Sequence, residues 1–309
     1  GLELGIKESI VVNDRMETSV PDIYAAGDAV QVKHYVTGND ALISLAGPAN
    51  KQGRIIADNI CGGDSRYLGS QGSSVIKVFD MTAATTGINE TNAKKSGLEV
   101  DTVILSPMSH AGYYPGGKVM TMKVVFEKES YRLLGAQIIG YEGVDKRIDV
   151  LATAIHAGLN ATQLKDLDLA YAPPYSSAKD PVNMAGFMID NIAKGTLKQW
   201  HLEDMDKISK DKDVVLLDVR TVGEFSRGHI DGFKNIPVDE LRERISEIEK
   251  GKPVYLICQS GLRSYIASRI LEGNGYETYN FSGGFRFYDA VVNDRALIER
   301  AYACGMELI

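Results

Sequence analysis

The stretch VYLICQSGLRSYIASRIL, residues 254–271, constrains the fold of this chain more than any other. A short apolar run ends at Cys258, a six-residue loop continues to Arg263, and a helical pattern follows. Strands are also predicted at 214–220 and 276–281, and a helix at 239–251. This alternation of strands and helices predicts an α/β domain whose parallel sheet carries helices on both faces.

The loop after this strand has the features of an anion-binding nest. Its N–H groups can turn inward at the carboxyl end of a parallel strand, and the first amides of the next helix add to their field. We expect them to stabilise a thiolate or persulfide at Cys258, with Gly261 permitting the tight turn. Arg263 can brace the loop or meet an anionic substrate. The other loop residues are Gln259, Ser260 and Leu262. The alternative is that Cys258 is a buried core residue.

Composition limits the classes to which the chain can belong. Its 309 residues suggest two or three domains, and the 44% of hydrophobic residues is typical of a globular protein. A net charge of −7 argues against a nucleic-acid partner, and no apolar run has the ~20 residues of a membrane helix. The three cysteines are scattered, which is typical of a reducing cytoplasm and predicts no metal site. Cys61 and Cys304 are interpreted as small buried residues.

The remainder of the chain reads as two further regions. Residues 75–139 contain β-rich runs separated by glycine-bearing turns, and helices are predicted at 145–160 and 182–194, which indicates an α+β domain. Before it, SIVVND and DIYAAGD are strand-like, and 45–60 is a predicted helix with Pro48 in its first turn. A glycine- and serine-rich boundary separates the two regions.

The stretch YAAGDAV, residues 24–30, suggests a ligand site. Its small residues Gly27 and Ala29 allow close approach to the backbone, and Asp28 can accept hydrogen bonds from sugar-like hydroxyls. The helix from Pro48 would direct its N-terminal amides to the same place. A plain strand, turn and helix with a turn aspartate is the alternative.

These stretches together resemble a known family. TSVPDIYAAGDAV and LAGPANKQGRIIADNI are similar to the second FAD fingerprint and the following helix of the pyridine-nucleotide disulfide oxidoreductases. Residues 70–195 resemble that family's dimerisation domain, while LLDVRTVGEFSRGHIDGFKNIPVDEL and the Cys258 loop resemble the rhodanese sulfurtransferases. The combination resembles coenzyme A-disulfide reductases fused to a rhodanese domain. It implies an FAD/NAD(P)-binding region of Rossmann type at 1–68, a dimerisation domain at 69–195, a linker at 196–205 and a rhodanese-like domain at 206–309.

The resemblance implies FAD, coenzyme A, and NADH or NADPH as electron donor, with Gly27, Asp28, Ala29 and Pro48 beside the flavin. No GxGxxG occurs in the sequence. We therefore expect the family's two phosphate loops and its redox cysteine to lie upstream of Gly1, so that the chain corresponds to the C-terminal part of a longer enzyme.

The loop YAPPY, residues 171–175, has tyrosines where glutathione-reductase-like members have a histidine. The resemblance implies that Tyr171 lies by the partner subunit's flavin in a homodimer and that Tyr113 or Tyr114 is its neighbour, with Tyr175 a secondary candidate. A tyrosine can donate a proton to a leaving sulfur but is a poor base at neutral pH. The alternative is a rigid packing corner. The implied coenzyme A contacts are Asn50, Lys51 and Lys179.

Structural roles are expected for the polar residues of the rhodanese-like entry segment. We expect Arg220 and Glu224 to form an ion pair, and His229 to brace a loop. Three hypotheses remain open at this point: a reductase of coenzyme A disulfide, coenzyme A persulfide or polysulfide; a stand-alone dimeric sulfurtransferase; and a binding module in which Cys258 is inert.

Overall fold

The computed structural model describes residues 1–292, and the chain divides into two compact units. The first unit comprises residues 1–102 and 124–160, and the second comprises residues 103–123 and those from 161 onward. In the described range, no helix is both long enough and apolar enough to span a lipid bilayer.

The beginning of the first unit is built from turns and isolated bridges. Its elements are β1 (Val32–Lys33), β2 (Asp40–Ala41) and α1 (Ala46–Ile60), with β1 and β2 antiparallel. The strands predicted in SIVVND and DIYAAGD are wrong. Tyr24 makes one bridge, to Glu17, and Gly27–Ala29 is a 3-10 turn. A strand persists only beside hydrogen-bonded neighbours, and here the described chain supplies single bridges instead.

An antiparallel sheet follows, as the β-rich pattern predicts. Its elements are β3 (Ser74–Val78), β4 (Met81–Gly87), α2 (Glu90–Lys95), β5 (Val100–Leu105), β6 (Thr121–Glu127), β7 (Leu133–Gly140) and α3 (Val144–His156). The strand order is β3-β4-β7-β6-β5, and α3 packs against β4 and β7. The helix predicted at 145–160 ends at His156, because Gly158 turns into the left-handed region with φ 71°.

Helix α4 (Pro181–Ala193) belongs to the second unit. Asp180 caps it by accepting a 3.0 Å hydrogen bond from Val182 N. The helix crosses the 3-10 segment Ala161–Asp166 so closely that a Cβ on Gly186 would lie 2.2 Å from Lys165 N. Glycine therefore permits this crossing, which fixes where α4 leaves the loop that precedes it.

The second unit also contains the expected parallel sheet. Its elements are β8 (Gln199–Trp200), α5 (Met205–Ile208), β9 (Val215–Asp218), α6 (Val222–Arg227), β10 (Lys234–Asn235), β11 (Val254–Ile257), α7 (Leu262–Glu272) and β12 (Thr278–Phe281). The order is β10-β9-β11-β12-β8, with every pair parallel. Leu217, Leu256 and Leu271 lie in one of its apolar clusters, and Trp200, Ile257 and Phe281 lie in another. Burial on both faces explains the continuous apolar runs of these strands.

Two predictions fail in this sheet. The linker predicted at 196–205 does not hold for Gln199 and Trp200, because β8 pairs with β12 and the Trp200 ring packs 4.5 Å from that of Phe281. The helix predicted at 239–251 is a series of turns with a short 3-10 segment, Ile245–Glu247. The Tyr276 hydroxyl contacts the Ile245 and Ile248 carbonyl oxygens, acceptors that a regular helix would use for its own amides.

Candidate functional site

The Cys258 loop surrounds the thiol with hydrogen-bond donors. Cys258 follows β11 and is 1% exposed, and its Sγ accepts hydrogen bonds from Gly261 N at 3.1 Å and Ser264 Oγ at 3.2 Å. Ser264 lies in the first turn of α7, so the helix start contributes both its field and a side chain. Such an arrangement stabilises a sulfur anion without a histidine base. The sequence interpretation did not include Ser264.

A second segment holds the loop from behind. Phe285 N donates to Cys258 O at 2.8 Å, and Arg286 N donates to Gln259 O at 3.1 Å. Gly284 has φ 68°, and a Cβ there would lie 2.7 Å from Ser260 N. This contact is missed by sequence reasoning, although the GG pair at 283–284 is a visible signal of close backbone approach.

Arg263 forms an ion pair with Glu224. Its Nη1 and Nη2 each donate to a Glu224 carboxylate oxygen at 2.7 Å, while Glu224 caps α6 through Thr221. The hydrogen bonds from Arg263 are the largest cause that lowers the pKa of Glu224 to about 2. The pair therefore stays ionised through neutral and mildly acidic pH, and it ties the start of α7 to the start of α6.

The predicted ion pair between Arg220 and Glu224 is wrong. The Arg220 guanidinium is buried with Asp218, which its Nη2 contacts at 2.7 Å, and the same nitrogen donates to Gly228 O at 2.8 Å. Asp218 ends β9 two residues before Arg220 and is fully buried, so its charge must be paired locally. Glu224 therefore forms its ion pair with Arg263 instead.

His229 stacks on Phe225, with ring centroids 4.0 Å apart, and its Nδ1 lies 3.1 Å from Phe225 O. These contacts connect the residue after Gly228 back to α6. Both contacts are consistent with the prediction that His229 holds its loop in place.

The YAPPY loop joins two tyrosines. The hydroxyls of Tyr171 and Tyr113 are 2.6 Å apart, and both rings are partly exposed. The hydrogen bond with Tyr113 is the largest cause that raises the pKa of Tyr171. Tyr171 therefore keeps its proton at neutral pH and can act as a hydrogen-bond donor. Tyr114 instead packs edge-on against His110, and Tyr175 is exposed at the end of the loop.

A cavity of about 260 Å³ adjoins the Cys258 loop. Ser260, Gly261 and Leu262 form part of its wall. Lys179, which lies between the YAPPY loop and α4, lines it together with apolar side chains such as Met184 and Phe187. The Lys179 side chain and the Cys258 loop thus line the same, mostly apolar cavity.

The predicted flavin-side residues lie together in the first unit. Gly27 begins the 3-10 turn and has φ 76°, while Asp28 and Ala29 are exposed. The Gly27 amide donates to the buried Gln52 Oε1 at 2.7 Å, which fixes the turn against α1. Sequence reasoning missed Gln52, whose helical position alone gave no signal.

The N-terminus of α1 presents Pro48, and no side chain caps it within the described residues. The side-chain amide of Asn50 donates a hydrogen bond to Ala46 O at 2.9 Å. Lys51 lines a cavity of about 560 Å³ together with Tyr35 and His156, whose rings stack at 5.1 Å. Asn50 and Lys51 therefore lie in different local surroundings from Lys179.

The remaining cysteines are Cys61 and Cys304. Cys61 is exposed at the end of α1, so its interpretation as a buried residue is wrong. Helix α1 has ended there, and the chain turns away through Gly62 and Gly63. Cys304 lies outside the described residues.

Two family models match the chain. Residues 73–181 match the pyridine nucleotide-disulphide oxidoreductase dimerisation domain, and residues 201–290 match the rhodanese-like domain.

Similar proteins carry related names. A CoA-dependent NAD(P)H sulfur oxidoreductase of Pyrococcus abyssi is 38% identical over 182 residues, which are 59% of this chain and 41% of that protein. A coenzyme A disulfide reductase of Staphylococcus aureus is 37% identical over 187 residues, which are 60% of this chain and 42% of that protein. The chain therefore spans about two fifths of these relatives.

Solved structures extend the likeness over almost the whole chain. The reduced CoADR-RHD of Bacillus anthracis has 48% identity and a TM-score of 0.92, and the match covers 96% of this chain and 53% of that one. An NAD-dependent persulfide reductase from A. fulgidus has 42% identity and a TM-score of 0.85, covering 93% and 52%. The chain thus joins a dimerisation domain of the pyridine nucleotide-disulphide oxidoreductases to a rhodanese-like domain.

Proposed function

We propose that the chain serves a flavin-dependent NAD(P)H oxidoreductase that reduces coenzyme A disulfide, coenzyme A persulfide or polysulfide, and that Cys258 carries sulfane sulfur. The observation that carries this proposal is the Cys258 thiol, held by Gly261 N and Ser264 Oγ in a chain that also contains the dimerisation domain. The names of the similar proteins support the reductase and the substrate class.

Sulfur transfer at Cys258 requires no cofactor. The thiolate attacks the outer sulfur of a sulfane donor, a new S–S bond forms, and the donor's own S–S bond breaks with its electron pair leaving on the donor. The resulting persulfide places its charge on the terminal sulfur, where the loop's amides can stabilise it. An acceptor thiolate then removes that sulfur and restores Cys258.

The tyrosine pair supplies a proton to a leaving sulfur. Tyr171 holds its proton because the contact with Tyr113 raises its pKa, and Tyr113 can relay a replacement through the 2.6 Å hydrogen bond. Both rings are accessible enough to meet a substrate. In the proposed homodimer, they serve the partner's flavin site.

The residues of the first unit fit one end of a flavin. Asp28 offers an exposed carboxylate, Gly27 and Ala29 keep the backbone approachable, and the uncapped start of α1 near Pro48 presents partial positive charge. When bound, FAD reduced by NADH or NADPH would supply the two electrons that cleave a disulfide or persulfide bond. Coenzyme A contacts are assigned to Asn50, Lys51 and Lys179, of which Lys179 lines the cavity beside the Cys258 loop.

The native protein provides the test. It would be isolated from its source cells with an antibody against this chain, and then assayed for flavin absorbance and for NAD(P)H oxidation on addition of coenzyme A disulfide or persulfide. We expect flavin and substrate-dependent oxidation. A colourless protein that transfers sulfur but oxidises no NAD(P)H would contradict the reductase and support the alternative, a stand-alone dimeric sulfurtransferase.

A further inference from the structure

The Ser264 hydroxyl lies between two acceptors at the start of α7. Its Oγ is 3.2 Å from Cys258 Sγ and 3.1 Å from Gly261 O. A serine hydroxyl carries one proton, so it donates to one of these acceptors at a time. Serine side chains in helices often give that proton to a backbone carbonyl three or four residues earlier in the chain. The sulfur therefore receives the proton only if Gly261 O is already satisfied.

Gly261 O has two other donors. Tyr265 N donates to it at 3.1 Å within the first turn of α7, and Asn280 Nδ2 donates to it at 3.1 Å from strand β12. A carbonyl oxygen has two lone pairs, and these two N–H groups occupy both of them. The Ser264 proton is thus left for the Cys258 sulfur.

Asn280 is fixed in the sheet and is buried. Its backbone pairs with Leu256 of β11 and with Gln199 of β8, and the residue is 3% exposed. Its Oδ1 accepts no hydrogen bond from any residue in the described range 1–292. A buried polar atom without a partner lowers stability, and a leucine of similar size would avoid that loss. The hydrogen bond from Nδ2 to Gly261 O therefore explains the asparagine better than packing does.

We propose that Asn280 is a positioning residue, which occupies Gly261 O and so directs the Ser264 proton to the Cys258 sulfur, where it stabilises the thiolate. Without the Asn280 amide, Gly261 O has a free lone pair and takes the Ser264 proton, because a carbonyl oxygen is a stronger acceptor than a thiol sulfur. Of the two donors to the sulfur, Gly261 N alone then remains. The consequence for sulfur transfer rests on the proposed role of Cys258, whereas the consequence for the thiolate does not.

The test measures the rate at which iodoacetamide alkylates Cys258 at different pH values. Mass spectrometry of the peptide that contains Cys258 follows the reaction, so the other cysteines do not contribute. The thiolate is the reactive form, and the midpoint of the curve of rate against pH reports its formation. Asn280→Leu keeps the size of the side chain and removes the donor. It should move the midpoint up by about one pH unit, because the sulfur anion loses a hydrogen bond.

Thr278→Val is the matched control. Thr278 is also buried on β12, and its hydroxyl donates to Glu272 Oε1 at 2.8 Å. The midpoint of this variant should equal that of the wild type. The charged groups near the thiol are unchanged in both variants, and they include Arg263 at the start of α7 and the Arg220–Asp218 pair after β9. A shift of the midpoint therefore reports hydrogen bonding.

The Ser264→Ala background shows whether Asn280 acts through the serine. Asn280→Leu should shift the midpoint in the wild-type chain and should not shift it further in Ser264→Ala, because that variant has already lost the same hydrogen bond. Equal shifts in the two backgrounds, or no shift in either, would overturn the proposal. Should Asn280→Leu not fold, Asn280→Ala takes its place with the same expected results, since its smaller side chain fits the same space.

Sulfur transfer by the same variants separates this inference from the proposed function. Asn280→Leu should slow transfer about tenfold at neutral pH and should approach the wild-type rate above its own midpoint, where the thiolate forms without the serine. Midpoints that move as expected in a chain that transfers no sulfur would uphold the positioning role and contradict the proposed function. A chain that transfers sulfur, with a midpoint that Asn280→Leu does not move, would refute the positioning role and leave the proposed function in place.

Discussion

At the scale of single residues, Ser264 is the side chain whose removal most directly probes the thiol environment. Ser264→Ala removes the 3.2 Å hydrogen bond to Cys258 Sγ and leaves the α7 backbone in place. A hydrogen bond to a charged group contributes about 1.5–3 kcal/mol, so sulfur transfer should slow roughly 10- to 100-fold. Steady-state transfer to cyanide measures this.

Ser268→Ala is the control for that variant. Ser268 lies one turn further along α7, is equally buried, and its hydroxyl bonds Tyr265 O rather than the thiol. Equal losses in the two variants would mean that Ser264 acts only on helix packing.

The pairing of Glu224 with Arg263 has a pH dependence with a defined sign. The folded-state pKa of Glu224 is about 2, below its ordinary 4.5, so the pair's contribution to stability is complete above about pH 5 and is lost as pH falls toward 2. Glu224→Gln should lower the free energy of unfolding at pH 7 by about 1 kcal/mol, because the pair is partly exposed. Urea unfolding should show this difference narrowing between pH 4.5 and 2.

Glu243→Gln serves for comparison, since Glu243 is an exposed glutamate whose side chain has no partner among the residues described. A difference between wild type and Glu224→Gln that stayed constant from pH 7 to pH 2 would contradict the assigned pair.

At the scale of structural elements, the segment 282–286 fixes the shape of the Cys258 loop. Gly284→Ala would place a Cβ 2.7 Å from Ser260 N, a backbone atom that cannot move without the loop. We expect sulfur transfer to fall more than tenfold, with a loss of stability from the strained φ of 68° as well. Thermal unfolding and transfer kinetics measure the two effects.

Gly275→Ala is the control that separates the effect of a strained backbone from the effect of a steric clash with the Cys258 loop. Gly275 has φ 81°, but a Cβ there meets nothing within 4 Å. It should lose stability and keep its transfer rate. If Gly284→Ala lost no more activity than Gly275→Ala, the close approach to the loop would have no role in catalysis.

The sequence predicts elements well where local pattern decides them. The four β-rich runs of the dimerisation domain, α1, α4 and the strand before Cys258 all form near their predicted positions. The segment 239–251 has a helical pattern and yet is not an α-helix, because Tyr276, distant in sequence, contacts two of its carbonyls. Only the tertiary structure shows that the Tyr276 hydroxyl competes for these helical carbonyl acceptors.

The same limit applies to the site. Arg220 and Glu224 are expected to pair as polar residues of the rhodanese-like entry segment, but burial and tertiary proximity pair Arg220 with Asp218 and Glu224 with Arg263. Cys258 and its glycine-bearing loop are visible in the sequence because strand, loop and helix are contiguous. Tertiary contacts, which a linear sequence pattern does not show, give Ser264, Gly284 and Gln52 their roles.

At the scale of the whole molecule, we predict a two-fold homodimer formed through residues 69–195. In this range, the hairpin of β3 and β4 exposes a row of apolar side chains, with Ile76 61% and Phe79 94% exposed. A partner that covers them would explain this surface. Light scattering at micromolar protein should give twice the chain mass, and Ile76→Asp/Phe79→Asp should give the monomer.

Leu68→Asp is the comparison, because Leu68 is 73% exposed outside the hairpin. A monomeric wild type would rule out the dimer of this chain, and a double variant that remained dimeric would move the interface elsewhere.

Mass spectrometry of the protein after exposure to thiosulfate shows whether Cys258 carries sulfane sulfur in its loop. We expect one added sulfur atom on the peptide that contains Cys258, none on the peptide that contains the exposed Cys61, and none anywhere in Cys258→Ser. Cys258→Ser should unfold like the wild type, since the change is nearly isosteric, and should transfer no sulfur. An unmodified Cys258 peptide would contradict this role and favour a binding module. Full transfer by folded Cys258→Ser would contradict it as well, because the sulfur would then be carried by another residue.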